Sequence, residues 1–130
     1  MISFYLEATS GLPAYLQIAR QVEHAIRLGR LGPGDQLPSV REVVAELAIN
    51  PNTVQKAYRD LEMRGLIDSW QGRGTFVRQG VGLERSSVHV AFQRKLRRWL
   101  TEATAAGLDR EDVVALFDSA VHELFVEGVA

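Results

Sequence analysis

The sequence predicts a mainly α-helical chain with one small β-hairpin and a separate pair of helices at its C-terminal end. Three observations carry this. Apolar residues recur at three- and four-residue spacing in several stretches, as in helices buried along one side. Between residues 66 and 78 that spacing gives way to two short strand-like runs around Gln71-Gly72-Arg73-Gly74, a tight-turn sequence. Residues 79–87 then mix glycine, serine and charge, as a linker does, before helical spacing resumes.

The elements follow in order. Ile2, Phe4 and Leu6 alternate with other residues and predict a short strand, broken by Gly11-Leu12-Pro13. From Ala14, the positions Tyr15, Ile18, Ala19, Val22 and Ile26 predict a first helix ending near Gly29. Gly32-Pro33-Gly34-Asp35 is a turn cluster. Ser39 and Glu42 form a capping box that starts a second helix, with Val43 and Leu47 on one face and an end at Ala48-Ile49. Asn50 caps a third helix, and Pro51 takes its first position, where a missing N–H costs nothing. Val54, Ala57, Tyr58 and Leu61 supply its buried stripe; Arg64 suits its negative end, and Gly65 suits its exit. Residues 66–70 and 75–78 are the two strands of the hairpin.

Two helices complete the chain over residues 88–130. Phe92, Leu96, Trp99, Leu100 and Ala103 mark one, which ends at Gly107; Asp109 caps the other. The last helix carries Val113, Val114, Leu116, Phe117, Ala120, Val121, Leu124 and Phe125, so it is apolar around much of its circumference. A lone helical hairpin cannot bury so wide a surface on itself. Phe92, Leu96, Trp99, Leu100, Val113, Leu116, Phe117, Val121, Leu124 and Phe125 are therefore the expected contact with a second copy of the chain.

Composition narrows the function classes. The 130 residues are 46% apolar, enough for a core, and no apolar run is long enough to span a bilayer. The first residues lack a signal peptide's charged and apolar regions. There is no cysteine, which removes disulfides, thiolate metal sites and cysteine nucleophiles and fits a cytoplasmic protein. His24, His89 and His122 lie too far apart to suggest zinc. No carboxylate pair, nucleophile–base set or phosphate loop stands out, so neither an enzyme nor a cofactor is expected. Net charge is −1; residues 1–80 hold nine Lys and Arg against eight Asp and Glu. Nucleic acid, if bound, meets a local patch rather than bulk charge.

Helix, short capped helix, sharp turn, capped helix and β-hairpin form the order of a winged helix-turn-helix, expected over residues 1–78. A helix fits the major groove of duplex DNA, and its N-terminal residues reach base edges first. Opposite the buried stripe of the third helix lie Asn52, Thr53, Gln55, Lys56 and Arg59. Asn and Gln suit adenine, and Lys reaches guanine acceptors. An ordinary solvated face explains the same residues, and composition does not separate the two. Arg41 follows the cap Ser39, where a cation opposes the helix dipole. That points to a phosphate or guanine contact at the Ser39–Arg41 helix start, or else to a surface pair with Glu42. Gln71, Gly72 and Arg73 set an arginine on a glycine turn, suited to a narrow minor groove and equally to a plain hairpin.

These residues resemble the GntR family of bacterial regulators, in its short YtrA-like branch. The resemblance rests on the stretches 33–42, 49–58, 65–67 and 72–77, with 10–18 at the start. It implies a homodimer on a palindromic operator in double-stranded DNA, usually as a repressor. It also implies DNA contacts at Arg41, Asn50, Asn52, Thr53, Gln55, Gln71, Gly72 and Arg73; Lys56 and Arg59 are added from helix geometry, and Ser39 is a further candidate contact beside Arg41. The chain departs from some members, which have arginine at the positions of Pro51 and Gln55. The resemblance makes the tail a dimerisation segment, and about 40 helical residues are too few to enclose an effector pocket of several hundred Å³. The rival class is a winged helix whose third helix meets a partner protein instead of DNA.

Overall fold

The computed structural model describes residues 1–80 and 87–127. Residues 81–86 of the predicted linker, and 128–130 of the predicted tail, lie outside the described residues. Contacts divide the chain into a unit that ends before Ser87 and a second that begins there.

In the first unit, α1 (Ala14–Arg27) buries Ile18, Ala19, Val22, Ala25 and Ile26, the side its apolar spacing predicts. α2 (Val40–Leu47) and α3 (Pro51–Met63) follow. α3 packs against both α1 and α2 and buries Val54, Ala57, Tyr58 and Leu61. Val54, Ala57 and Leu61 are fully enclosed. Fully burying a side chain of this size contributes roughly 1.5–3 kcal/mol, so this stripe fixes where the opposite face of α3 points. α3 ends as its composition predicts: Gly65 N–H bonds to Glu62 O, and Leu66 N–H reaches back to Leu61 O.

The sheet has three antiparallel strands, not two. β1 (Gln36–Leu37), β2 (Ile67–Trp70) and β3 (Gly74–Val77) are ordered β1-β3-β2. The hairpin register runs from Ile67↔Val77 to Trp70↔Gly74, and β1 adds Gln36↔Phe76 and Leu37↔Thr75. Buried Leu37, Ile67 and Val77 root the sheet in the helical core.

The predicted strand at Ile2, Phe4 and Leu6 does not form. Its apolar alternation is real, since Phe4 is buried and Ile2 and Leu6 pack against the core. Its backbone, however, is tied by side chains rather than a neighbouring strand. Phe4 N–H donates to Glu46 Oε1 at 2.6 Å. Gln21 accepts from Tyr5 N–H and donates to Tyr5 O. Gln17 does the same for Glu7. Side chains of α1 and α2 thus do the work a strand ladder would.

The second unit holds α4 (Ser87–Ala105) and α5 (Arg110–His122), with a π-helical turn over Glu123–Glu127. The turn between the helices closes with Leu108 N–H on Ala103 O. Asp109 caps α5 as predicted: its Oδ1 accepts from Asp112 N–H, while Asp112 Oδ2 accepts from Asp109 N–H. Among the described residues of this unit, Ala103 is the one buried apolar side chain. Neither helix is long and apolar enough to cross a membrane.

Candidate nucleic-acid interface

The turn between α2 and α3 is three residues long, and local chemistry sets it. Ala48 closes α2 in the left-handed region, at φ 54°, with its N–H on Val44 O. Ile49 packs partly against the core. Asn50 is extended, and its Oδ1 accepts from Asn52 N–H at 2.8 Å, starting α3. Pro51 occupies the first helical position.

Across α3 from the buried stripe, Asn52, Gln55, Lys56 and Arg59 are all exposed. Their spacing of three and four residues makes one continuous stripe along a helix. Thr53 lies at its edge, half-buried, with its N–H on Asn50 O. Lys56 is not free in solvent, because its Nζ sits 4.2 Å from the centroid of the Tyr15 ring of α1. That contact is a cation–π attraction and holds the ammonium near the start of α1.

The start of α2 has a complete capping box. Ser39 Oγ accepts from Glu42 N–H at 3.1 Å, and Ser39 N–H donates to Glu42 Oε1 at 3.0 Å. The Ser39 backbone N–H, and then the Ser39 hydroxyl, hold the Glu42 carboxyl below its ordinary value. Glu42 is therefore committed to Ser39. Arg41 is exposed and has no ion pair among the described residues, so pairing with Glu42 does not explain it. Arg64, by contrast, is held on Glu23 at 3.0 Å and Asp60 at 3.2 Å. Those pairs keep its charge away from the stripe, where the sequence suggested only a dipole contact.

Gln71, Gly72 and Arg73 form the exposed tip of the hairpin. Arg73 N–H bonds to Trp70 O at 2.9 Å, and Gly72 sits at φ 80° in the third position of that turn. Glycine is the residue a type II turn wants there. Gly74 is more constrained still: its φ is 123°, and an added Cβ would lie 2.7 Å from Gln36 Nε2. Behind the tip, Asp68 and Arg78 pair at 2.8 Å across the hairpin.

Together these features give a helix start carrying Arg41, a neighbouring helix with an exposed amide-and-cation stripe, and a projecting hairpin tipped by arginine. The open N-terminus of α3 adds the positive end of a helix dipole. Such a surface can accept phosphates and present paired donors and acceptors to base edges. Sequence reasoning missed three parts of its support: β1, the Tyr15 seat under Lys56, and a 2.6 Å bond from Tyr58 Oη to Pro38 O. Only the last left a trace in sequence, since a buried tyrosine needs a partner for its hydroxyl. The predicted self-association residues are open: Phe92, Leu96, Trp99, Leu100, Leu116, Phe117, Val121, Leu124 and Phe125 are exposed, and Val113 is half-buried.

Residues 14–77 match the profile of the bacterial regulatory proteins of the gntR family. The HTH-type transcriptional repressor YtrA of Bacillus subtilis is 35% identical over 107 residues, 82% of each chain. Among solved structures, YtrA from Sulfolobus acidocaldarius, a GntR-family transcription factor, is 35% identical with a TM-score of 0.55. That match covers 78% of this chain and 97% of that one. The DNA-binding domain of AraR in complex with operator ORX1 superposes with a TM-score of 0.51 at 29% identity. It covers 58% of this chain and 95% of that one.

Proposed function

The chain belongs to the GntR family of bacterial regulatory proteins, and we propose that it is a transcriptional repressor that binds a palindromic operator as a homodimer. That it is a DNA-binding regulator follows from the family; the dimer, the operator symmetry and the residue roles are the proposal. The carrying observation is the exposed stripe of α3, Asn52, Gln55, Lys56 and Arg59, fixed opposite a fully buried stripe on a short helix-turn-helix.

In this mechanism each protomer sets α3 into a major groove. Asn52 and Gln55 meet base edges. Asn50, Thr53 and the first turn of α3 lie against the backbone, Ser39 and Arg41 meet DNA from the start of α2, and Lys56 and Arg59 add charge along the groove. The tip at Gln71, Gly72 and Arg73 reaches the flanking groove, where arginine is drawn to narrow, strongly negative stretches. The exposed apolar side chains of α4 and α5 join two protomers, so the two copies of α3 face half-sites roughly one helical turn apart. Occupying a promoter then blocks transcription. A regulator of this kind works beside the chromosome, in the cytoplasm.

Replacing Arg41 or Arg73 by alanine tests the site. Each change is expected to weaken operator binding by about 1–3 kcal/mol in fluorescence anisotropy titrations if the contact is to a base. A phosphate contact instead lowers affinity evenly across sequences and reduces the salt dependence by one charge. Unchanged affinity in both variants would remove the two arginines from the site. Failure of the native chain to bind any duplex at low salt would favour the protein-partner class.

A further inference from the structure

Tyr58 faces the core from the middle of α3, and its ring is 5% exposed. Its hydroxyl reaches across the unit and donates to the carbonyl of Pro38, 20 residues earlier, in a buried bond of 2.6 Å. Pro38 is a junction. It follows Leu37 of β1, which pairs with Thr75 of β3, and precedes Ser39, the cap of α2. Its carbonyl lies outside the helical ladder of α2, which opens with Val43 N–H on Ser39 O. Burial first, and then the nearby carboxylates Glu42 and Glu46, push the Tyr58 phenol above its ordinary value. The phenol is therefore protonated, and a donor, at neutral pH.

We propose that Tyr58 is a positioning residue for DNA reading: its hydroxyl fixes the start of α2, and with it Arg41, against the recognition helix α3. Arg41 is the third residue after Pro38, so a shift at the Pro38 carbonyl passes directly to it. Binding constellations need their groups held within about 0.5 Å, and one strong bond from α3 to the residue just before the cap of α2 supplies that constraint. The inference rests on the reading that Arg41 touches DNA. It differs from a packing role, in which the hydroxyl stabilises the unit without affecting Arg41 in particular.

A double-mutant cycle on the full chain separates the two roles. Operator affinity is measured for wild type, Tyr58→Phe, Arg41→Ala and the double variant, with thermal unfolding recorded for each. Tyr58→Phe is expected to weaken binding about tenfold in the native background and less than about twofold when Arg41 is already alanine. Equal loss in both backgrounds, or full affinity in folded Tyr58→Phe, would overturn the inference and leave the Arg41 contact standing. No loss from Arg41→Ala alone would overturn the contact and the inference with it. If Tyr58→Phe lowers Tm below the assay temperature, the cycle is run in sucrose, which favours the folded state.

Discussion

Ala48 is the only residue other than glycine at positive φ among the described residues, and it stands at the turn between α2 and α3. An L side chain in that region costs roughly 1–2 kcal/mol, and glycine there costs little beyond its greater freedom when unfolded. Ala48→Gly is therefore expected to stabilise the chain by about 0.5–1 kcal/mol in urea unfolding. A loss of stability would mean that the methyl group packs better than its backbone suits. Helix caps whose partners lie two or three positions away were legible in the sequence. Ser39 with Glu42 forms the box its spacing says, and Asn50 and Asp109 cap their helices as expected, on Asn52 and Asp112. Tyr58 with Pro38 was not, because a hydroxyl that crosses 20 residues leaves no local pattern. The seat of Lys56 over Tyr15 is equally remote in sequence, and only packing of α1 on α3 creates it.

At the scale of elements, periodicity identified the five α-helices and both strands of the hairpin, but not the π-helical turn at Glu123–Glu127, where the last helix was expected to run on through Leu124 and Phe125. The exceptions are instructive. β1 has two residues, too few for any alternation, and exists only because β3 offers a free edge beside it. The N-terminal segment has the alternation of a strand but no strand to pair with, so Gln17, Gln21 and Glu46 take its backbone groups instead. Burial was legible there, and the source of the hydrogen bonds was not. The hairpin itself depends on two glycines in different degrees. Gly74→Ala meets a strained φ of 123°, while the 2.7 Å approach is to the end of the flexible Gln36 side chain, which can swing aside. It is expected to cost about 1–3 kcal/mol and to weaken DNA binding through a distorted tip. Gly72→Ala, with open space around its Cβ, is expected to cost less. Thermal unfolding of the two variants checks the order, and an equal or reversed order would contradict the backbone strain assigned to Gly74.

For the whole molecule, the contrast between the two units matters most. The first buries a single continuous core; the second leaves Leu116, Phe117, Leu124 and Phe125 about half-exposed or more. Monomeric proteins seldom expose apolar surface on this scale, and contiguous patches of it mark interaction sites. Phe117→Glu is expected to shift the chain from dimer to monomer in sedimentation, because a carboxylate in an apolar interface must be desolvated without a partner. A variant that stays dimeric would move the interface elsewhere. In the proposed dimer, two copies of α3 related by a two-fold axis require a two-fold symmetric site. The most direct measurement is therefore selection of binding sites for the full chain from a randomised duplex pool, read by sequencing. Enrichment of an inverted repeat with half-site centres about one helical turn apart is the predicted result. Enrichment of a single asymmetric half-site, or of nothing at low salt with a dimeric sample, would contradict it.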